Sequence, residues 1–409
     1  MAFDPFKEKG RPIEKQVRNW EELNVQPYDP ESVHPYTRTR IILMNGIETE
    51  AALFLHQFAR HASDSELKQK IALARRVEQQ QQKLVNWLVP ASESALEVTL
   101  GYEQVAVDLT AWLARTEPDP YVKAALDYAL LEDFDHLYRY SNHLELAEGK
   151  DPARIVGDLT EIFPGRPTAI EHQHPFDTVR RHYDARRADV LTKMHVATIV
   201  AGEQQTMNFY MNVGNRSTDM LGRGLYLEIA QIEEQHVTHY ESLADPSASW
   251  LEMLLIHEYN ECYLYYSCLE SETDARVRKI WQQCLEDELE HLRVAGELLM
   301  RHEGRDPAGI FPGEFPELTV FKSNKDYVRQ VLAEQEGLSA DGPDFVPRGK
   351  LGRDSRFRQF QDQVNSASVP SREVVARHIR KDGRDYRLET EGQHPVERLR
   401  ARDRVSGDD

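Results

Sequence analysis

Glutamate and histidine residues recur at matched spacing between Ala201 and Ala295. The residues concerned are Glu203, Glu233-Glu234-Gln235-His236, Glu258, Glu261 and Glu288-Leu289-Glu290-His291. Thirty residues separate Glu203 from Glu233 and Glu258 from Glu288, and a histidine follows the second glutamate of each pair by three positions. Because residues i and i+3 of a helix point the same way, each Glu-x-x-His offers a carboxylate and an imidazole to one point. The spacing predicts one helical hairpin used twice.

The neighbours of both Glu-x-x-His pairs are apolar at helical spacing, so the pairs face a core. Leu225 and Ile229 precede the first pair, and Leu292 and Ala295 follow the second. Burying several carboxylates together without a compensating positive charge costs on the order of several kcal/mol for each carboxylate. Oxygen and imidazole ligands suit two divalent or trivalent ions, with iron or manganese fitting better than zinc.

This set of residues resembles the ligand pattern of the ferritin-like superfamily, in which two helices supply one Glu each and two others supply Glu-x-x-His. Residues 185–304 carry this set, and Glu261, three residues after Glu258, is similar to the extra carboxylate of the rubrerythrin-like branch. The resemblance implies two iron ions, or manganese or a mixed pair. It implies terminal ligands at Glu203 and Glu258, bridges at Glu233 and Glu288, nitrogen ligands at His236 and His291, and a redox-mobile ligand at Glu261.

The same ligand pattern occurs 155 residues earlier in the chain, which indicates a tandem duplication. The corresponding residues are Glu48, Glu78, Gln81, Glu103, Asp133 and His136. Three positions depart from the pattern: Gln81 replaces His, Asp133 replaces Glu, and Ala106 stands where Glu261 has its equivalent. This copy is either a second, weaker metal site or a structural domain in which these polar residues hydrogen-bond to one another.

The sequence predicts an all-α protein of two tandem ferritin-like four-helix bundles with extended N- and C-terminal arms. Helices are expected near 36–62, 64–89, 92–116, 119–148, 185–214, 217–243, 248–271 and 274–303, with Asp64 and Asp219 as N-caps. The predicted division is an N-terminal arm 1–35, bundle 1 at 36–150 with the incomplete site, a linker 151–184, bundle 2 at 185–304 with the complete site, and a C-terminal arm 305–409.

The connection between the second and third helices of each bundle has two possible forms. Twenty-five residues separate Glu233 from Glu258. If about 18 of them are helical at ~1.5 Å each, a ferritin-like crossover must span ~27 Å with roughly seven residues. The alternative is an up-down-up-down bundle with short loops. We favour the crossover because the ligand set is complete.

Weaker signals lie outside the bundles. The linker contains Glu171-x-x-His174, which we interpret as unrelated to the metal sites because a loop lacks helical geometry. In the C-terminal arm, Ser323 and Asp326 suggest a capping box for a helix ending near Glu336, and Lys381-Asp382-Gly383-Arg384 suggests a hairpin. The arm is expected to order on a partner subunit; disorder or docking to another protein are the alternatives.

Composition bounds the class of protein. The mean hydropathy is −0.63; without a long apolar run or signal peptide, this predicts a soluble, cytoplasmic protein. The three cysteines form no Cys-x-x-Cys, so no rubredoxin centre is expected. The net charge of −19 argues against nucleic acid as a partner. A homo-oligomer is expected from the long arms.

The resemblance implies a di-iron oxidase or peroxidase that reduces dioxygen or hydrogen peroxide with electrons from an external donor. Tyr210, Tyr240 and Tyr265 lie within two turns of ligands and are candidates for electron or proton relay, or for ordinary core packing. An oxygenase acting on an organic substrate and an iron-storage protein remain the alternatives.

Overall fold

The chain is almost entirely helical in the computed structural model, which describes residues 3–311 and 313–400. The predicted all-α class is confirmed. The α-helices within these residues are α1 Trp20–Leu23, α2 Pro35–His61, α3 Ser65–Asn86, α4 Ala95–Thr116, α5 Pro120–Glu148, α6 Ala153–Val156, α7 Val190–Val213, α8 Met220–Glu241, α9 Trp250–Ser271, α10 Ala275–Glu303, α11 Lys325–Gln335, α12 Arg356–Val364 and α13 Pro370–Asp382. A short antiparallel hairpin joins β1 Leu338–Asp341 to β2 Asp344–Pro347.

The eight predicted long helices are all present, and their ends are set by capping residues that recur 155 positions apart. Side chains accept backbone N–H groups at the N-termini, which satisfies donors that the helix itself leaves free. These N-caps are Asp64 and Asp219, Ser94 and Ser249, and Asp119 and Asp274. Left-handed glycines, Gly149 at φ 66° and Gly304 at φ 65°, end α5 and α10.

The described residues divide into two compact units. Of these residues, unit one comprises those from 3 to 92, Asp184–Gly202 and those from 245 to 321, and unit two comprises Glu93–Tyr183, Glu203–Ala244 and those from 322 to 400. Unit one joins the hairpin α2–α3 to the hairpin α9–α10, and α2 contacts α9 while α3 contacts α10. Unit two joins α4–α5 to α8 and to the part of α7 from Glu203 onward, and α5 contacts α8. Each unit therefore takes helices from both halves of the duplication, and α7 is divided, with its residues up to Gly202 in unit one.

The predicted ranges 36–150 and 185–304 do not each form one unit, so this division of the chain was wrong. The unit boundaries at Ser92 and Ala244 fall inside the two short links between the second and third helices of each repeat. A link of roughly seven residues returning along the same helices would have had to span ~27 Å. Neither the ferritin-like crossover nor the short up-down-up-down loop joins the second and third helices of a repeat within one unit, because the chain passes to the other unit at each link.

The two arms and the linker pack on the helices rather than extending away from them. In unit one, the N-terminal arm contains a 3-10 turn at Ile13–Lys15, which contacts α10, and the helix α1, capped by Asn19. In unit two, α11 and α13 pack on α5. The linker belongs to unit two as far as Tyr183, and unit one takes up the chain again at Asp184. Residues 401–409 of the predicted C-terminal arm lie outside the described residues.

Two predicted details of the C-terminal arm were wrong. Gly383, at φ 78°, ends helix α13 and does not turn a hairpin. The hairpin lies instead at 338–347, where Gly342 has φ 57°. Helix α11 starts after Asn324 without a side-chain cap, and the Ser323 hydroxyl donates to the Leu159 carbonyl rather than forming a capping box.

Candidate metal centres

Each unit holds one buried cluster of carboxylates and imidazoles, with two helices from each half of the chain supplying the side chains. We call the cluster of unit one site I; it consists of Glu48, Glu78, Gln81, Glu258, Glu261, Glu288 and His291. We call the cluster of unit two site II; it consists of Glu103, Asp133, His136, Glu203, Glu233 and His236. Each of these residues is at most 4% exposed.

Site II contains two groups of potential ligand atoms that share Glu233. One group is Asp133, Glu203, Glu233 and His236, and the other is Glu103, His136 and Glu233; the ligand atoms of each group lie within 4.8 Å of one another. His136 Nδ1 is 3.1 Å from Glu233 Oε1, and His236 Nδ1 is 3.4 Å from Glu233 Oε2. The two oxygens of Glu233 therefore face different imidazoles, which suits a carboxylate that bridges two ions.

The outer nitrogens of both site II imidazoles are held by further buried carboxylates. His136 Nε2 donates to Glu171 Oε2 over 2.9 Å, and His236 Nε2 donates to Glu132 Oε2 over 2.9 Å. Arg166, itself buried, donates to the other oxygen of Glu132 over 2.7 Å. Such outer partners fix the ring orientation and leave Nδ1 aimed at the cluster as an acceptor for a metal.

Site I presents one imidazole and five carboxylates. Ligand atoms of Glu78, Glu258, Glu288 and His291 lie within 4.8 Å of one another. His291 Nδ1 is 2.7 Å from Glu78 Oε1 and 3.1 Å from Glu288 Oε2. Gln81 occupies the position of the missing histidine, and its amide donates to Glu288.

The outer partner of His291 is an amide rather than a carboxylate. His291 Nε2 donates to Gln16 Oε1 over 2.7 Å, and the Gln16 amide nitrogen donates to the carbonyls of Arg11 and Asp287. The adjacent Asp287 carboxylate accepts from Arg11 and Arg18, each over 2.6 Å. Site I thus has the same outer layout as site II, with a neutral group against its imidazole.

Without a metal, the carboxylates are held in unfavourable surroundings. Burial, together with the carboxylates Glu78 and Asp133 respectively, raises the pKa of Glu261 and of Glu203 well above the usual range. Burial alone would also raise the pKa of Glu233, but the adjacent imidazoles of His136 and His236 hold it below its ordinary value. Both oxygens of Glu203, of Asp133 and of Glu261 are buried without a hydrogen bond. Buried carboxylates in this condition could hold a cation, which would supply the missing partners.

Two of the three tyrosines noted in the sequence contact these clusters. The Tyr210 hydroxyl donates to Glu103 in site II, and the Tyr265 hydroxyl donates to Glu48 in site I. Each hydrogen bond fixes one oxygen of a potential terminal ligand. Tyr240 is buried with its ring 6.4 Å from that of His236, centroid to centroid, and its hydroxyl makes no hydrogen bond.

The residues predicted to form one complete site are divided between the two units. Glu203, Glu233 and His236 lie in site II, whereas Glu258, Glu261, Glu288 and His291 lie in site I. The residues predicted for the weaker second site are divided in the same way, with Glu48, Glu78 and Gln81 in site I and Glu103, Asp133 and His136 in site II. The expectation of one complete and one degenerate centre was therefore wrong, because the hairpins pair across the repeats.

The outer partners Gln16, Glu132, Arg166 and Glu171 were not predicted, although the repeat contains a signal for them. Gly10-Arg11-Pro12 and Gly165-Arg166-Pro167 stand 155 residues apart, and so do Gln16 and Glu171. The interpretation of Glu171 as unrelated to the metal sites was wrong, because its carboxylate holds His136. His174 is not part of either cluster; its Nδ1 accepts from the Phe176 N–H.

A small cavity adjoins site I. It has a volume of about 20 Å³, includes Glu258 and His291 in its lining, and is otherwise bounded mainly by apolar side chains such as Leu55, Ile71 and Leu254. A cavity of this size has room for about one water-sized molecule.

No described helix combines the length and the apolar character needed to cross a membrane.

Comparison of the chain with protein families, with curated proteins and with solved structures finds no match.

Proposed function

We propose that both units are ferritin-like four-helix bundles and that each binds a pair of iron ions, for which manganese can substitute, used to reduce peroxide or dioxygen. The proposal is supported chiefly by Glu233, a single buried carboxylate whose two oxygens face the imidazoles of two separate ligand groups. A pair of ions sharing such a bridge is the arrangement of di-iron carboxylate bundles.

The donor set of site II fits two divalent ions in both number and charge. Its four carboxylates carry −4 when ionised, which two divalent cations balance, and the two imidazoles bind as neutral ligands. Glu203, His236 and Asp133 would hold one ion, Glu103 and His136 would hold the other, and Glu233 would bridge them. The unbonded oxygens of Glu203 and Asp133 would then gain partners.

Site I fits a pair of ions with one imidazole fewer. Glu258 and His291 would hold one ion, Glu48 and Gln81 would face the other, and Glu78 and Glu288 lie between the two positions. Neither oxygen of Glu261 makes a hydrogen bond, and burial together with the carboxylates of Glu78, Glu288, Glu258 and Glu48 raises its pKa. Glu261 would therefore offer the ion pair a further oxygen ligand in place of the missing histidine nitrogen.

Two iron ions, when bound, supply two electrons together, which matches the reduction of peroxide to water. The residues of the chain would set the conditions for that chemistry. Glu171 and Glu132 orient the imidazoles, while Tyr210 and Tyr265 hold terminal carboxylates and carry hydroxyl protons next to the cluster. The cavity of about 20 Å³ beside site I favours a small oxidant such as dioxygen or peroxide over a large organic substrate.

Metal content of matched variants tests the grouping of the ligands. Glu78→Ala comes from the first half of the chain and Glu288→Ala from the second, and we expect both to lose the same ions, those of site I. Asp133→Ala should lose the ions of site II instead, and Glu234→Ala, exposed on α8, is the matched control. We expect four ions per intact chain. Full retention of four by Glu78→Ala and by Asp133→Ala would overturn the assignment.

Mixing the reduced, metal-loaded protein anaerobically with hydrogen peroxide tests the activity. We expect oxidation at one peroxide per ion pair, since each peroxide takes up two electrons and two protons and leaves as two waters. Oxidation of iron far beyond two ions per site would indicate storage instead. Turnover seen only after an organic compound is added would indicate an oxygenase.

A further inference from the structure

A large arginine-lined cavity in unit two is separate from both clusters. It has a volume of about 870 Å³, and the residues that line it include Ile170, Phe357, Arg348, Arg353, Arg358 and Arg372. We propose that this cavity binds a small molecule bearing a pyrophosphate group, of the size of a nucleotide. The proposal does not depend on the presence of metal in either site.

The charge of the cavity favours an anion. Four arginines line it against one carboxylate, that of Asp362. Among the residues that the structure describes, neither Arg353 nor Arg358 has a carboxylate within ion-pair distance. Such a concentration of positive charge is notable in a chain of net charge −19, and a guanidinium fork matches the oxygens of a phosphate.

Arg348 is crowded by other cations at one edge of the cavity. It shares the single carboxylate of Glu336 with Arg398, and its own separation from that carboxylate is 3.4 Å. Burial, together with the nearby Arg166 and Arg398, lowers the pKa of Arg348. A bound anion would relieve this repulsion, so the cavity is better suited to a phosphate ligand than to remaining filled with water.

The walls of the cavity are fixed by hydrogen bonds. The Asn365 amide donates to the Ala169 carbonyl over 2.7 Å, and the Gln361 amide donates to the His172 carbonyl over 2.6 Å. These bonds join α12 to the segment that includes Ile170 and that also carries Glu171. Because the walls are set before a ligand arrives, little free energy is lost to ordering them on binding.

The volume indicates the size of the ligand. Small-molecule sites are typically about 300–1,000 Å³, so an isolated phosphate would leave most of this cavity empty. Ile170 and Phe357 supply apolar wall beside the arginines, which suits an organic moiety attached to the phosphates. Nucleic acid is the less favoured occupant, because the acidic charge of the chain as a whole opposes a long polyanion.

Calorimetric titration of the full chain with sodium pyrophosphate, ATP, citrate and a single-stranded oligonucleotide tests the proposal. We expect saturable binding of pyrophosphate and tighter binding of ATP. The Arg353→Gln, Arg358→Gln double variant should bind both at least about tenfold more weakly, because it removes two guanidinium groups that would donate charge-assisted hydrogen bonds to the phosphates. Arg377→Gln, on α13 and paired with Glu373, is the matched control and should bind normally.

Several outcomes would overturn the proposal. These are absence of saturable pyrophosphate and ATP binding, equal binding by the double variant with an unchanged melting temperature, or tighter binding of citrate or of the oligonucleotide than of ATP. Running the titrations on metal-depleted and metal-loaded protein separates the two proposals. A failure to bind ATP in both forms would leave the metal assignment untouched, and loss of metals from the clusters would leave this cavity intact.

Discussion

Replacing Glu171 by glutamine would give site II the outer partner that site I already has. In site II the imidazole of His136 donates to the Glu171 carboxylate, and in site I that of His291 donates to the Gln16 amide oxygen at 2.7 Å. Glutamine can therefore hold such a ring without a change of geometry. The substitution removes a negative charge from the imidazole and leaves its orientation in place.

We expect the Glu171→Gln variant to bind metal more weakly in site II. Replacing a residue that hydrogen-bonds to a metal-binding imidazole typically lowers metal affinity about 10- to 100-fold, or by about 1.4–2.8 kcal/mol. The lower end applies here, because the hydrogen bond survives and only the charge is lost. Because Glu171 is wholly buried, water does not screen the interaction between its charge and the imidazole, so removing that charge has a measurable effect. The reverse change, Gln16→Glu, is a poor test, since it would set a carboxylate against the carbonyls of Arg11 and Asp287.

Titration with Co²⁺ under anaerobic conditions, followed by visible absorbance, measures this effect. A Glu288→Ala background removes the contribution of site I, so that the signal reports on site II. Glu234→Gln is the control, because it removes a carboxylate from the residue next to Glu233 on the exposed face of α8. Equal affinity in Glu171→Gln and the unsubstituted background, or an equal loss in the control, would refute the reasoning.

Three further predictions concern packing, ligands and charge. A Cβ added at Gly165 would lie 2.3 Å from the Leu131 carbonyl oxygen. We therefore expect Gly165→Ala to lower the free energy of unfolding, measured by chemical denaturation, by about 1–3 kcal/mol. Gly337→Ala should cause no loss, because its Cβ would meet nothing within 4 Å. Gln81→His should increase the metal that site I retains during dialysis against a chelator; unchanged retention would contradict its assigned position. Burial raises the folded-state pKa of Glu203 and Glu261, so the stability that their protonation provides is lost as pH rises above the ordinary carboxyl range. Metal-free protein should therefore melt at a lower temperature above neutrality than in mild acid, and bound metal should reduce the difference.

The helices and the chemistry of the ligands could be predicted from the sequence because both depend on local spacing. Apolar periodicity sets the helices, and caps such as Asp64 and Asp219 set their ends. The Glu-x-x-His spacing determines that Glu233 and His236 share a helix face whichever helices surround them. For the same reason, every predicted ligand residue is buried in one of the two clusters.

The pairing of the hairpins could not be read from local pattern. The repeats present nearly the same buried faces, so the first hairpin of either half can pack with the second hairpin of either half. What distinguishes the arrangements is the length of the links at 88–94 and 243–249, for which the required span was close to the available length. Where a link is too short to return along the same helices, the chain passes to the helices of the other unit. The ligand residues that follow the link then belong to that unit.

The regrouping of hairpins changes the meaning of each departure from the ligand pattern. Gln81, the position without an imidazole, lies in the same unit as Glu261, the additional carboxylate, and Ala106, the equivalent of Glu261, lies in the unit where both imidazoles are present. Under the proposed assignment, one unit would have exchanged a nitrogen ligand for an oxygen ligand. Five carboxylates and one imidazole favour harder and more highly charged ions than four carboxylates and two imidazoles do. The two centres should consequently differ in the metal or oxidation state that they stabilise, so each half of the duplication contributes to two unlike sites.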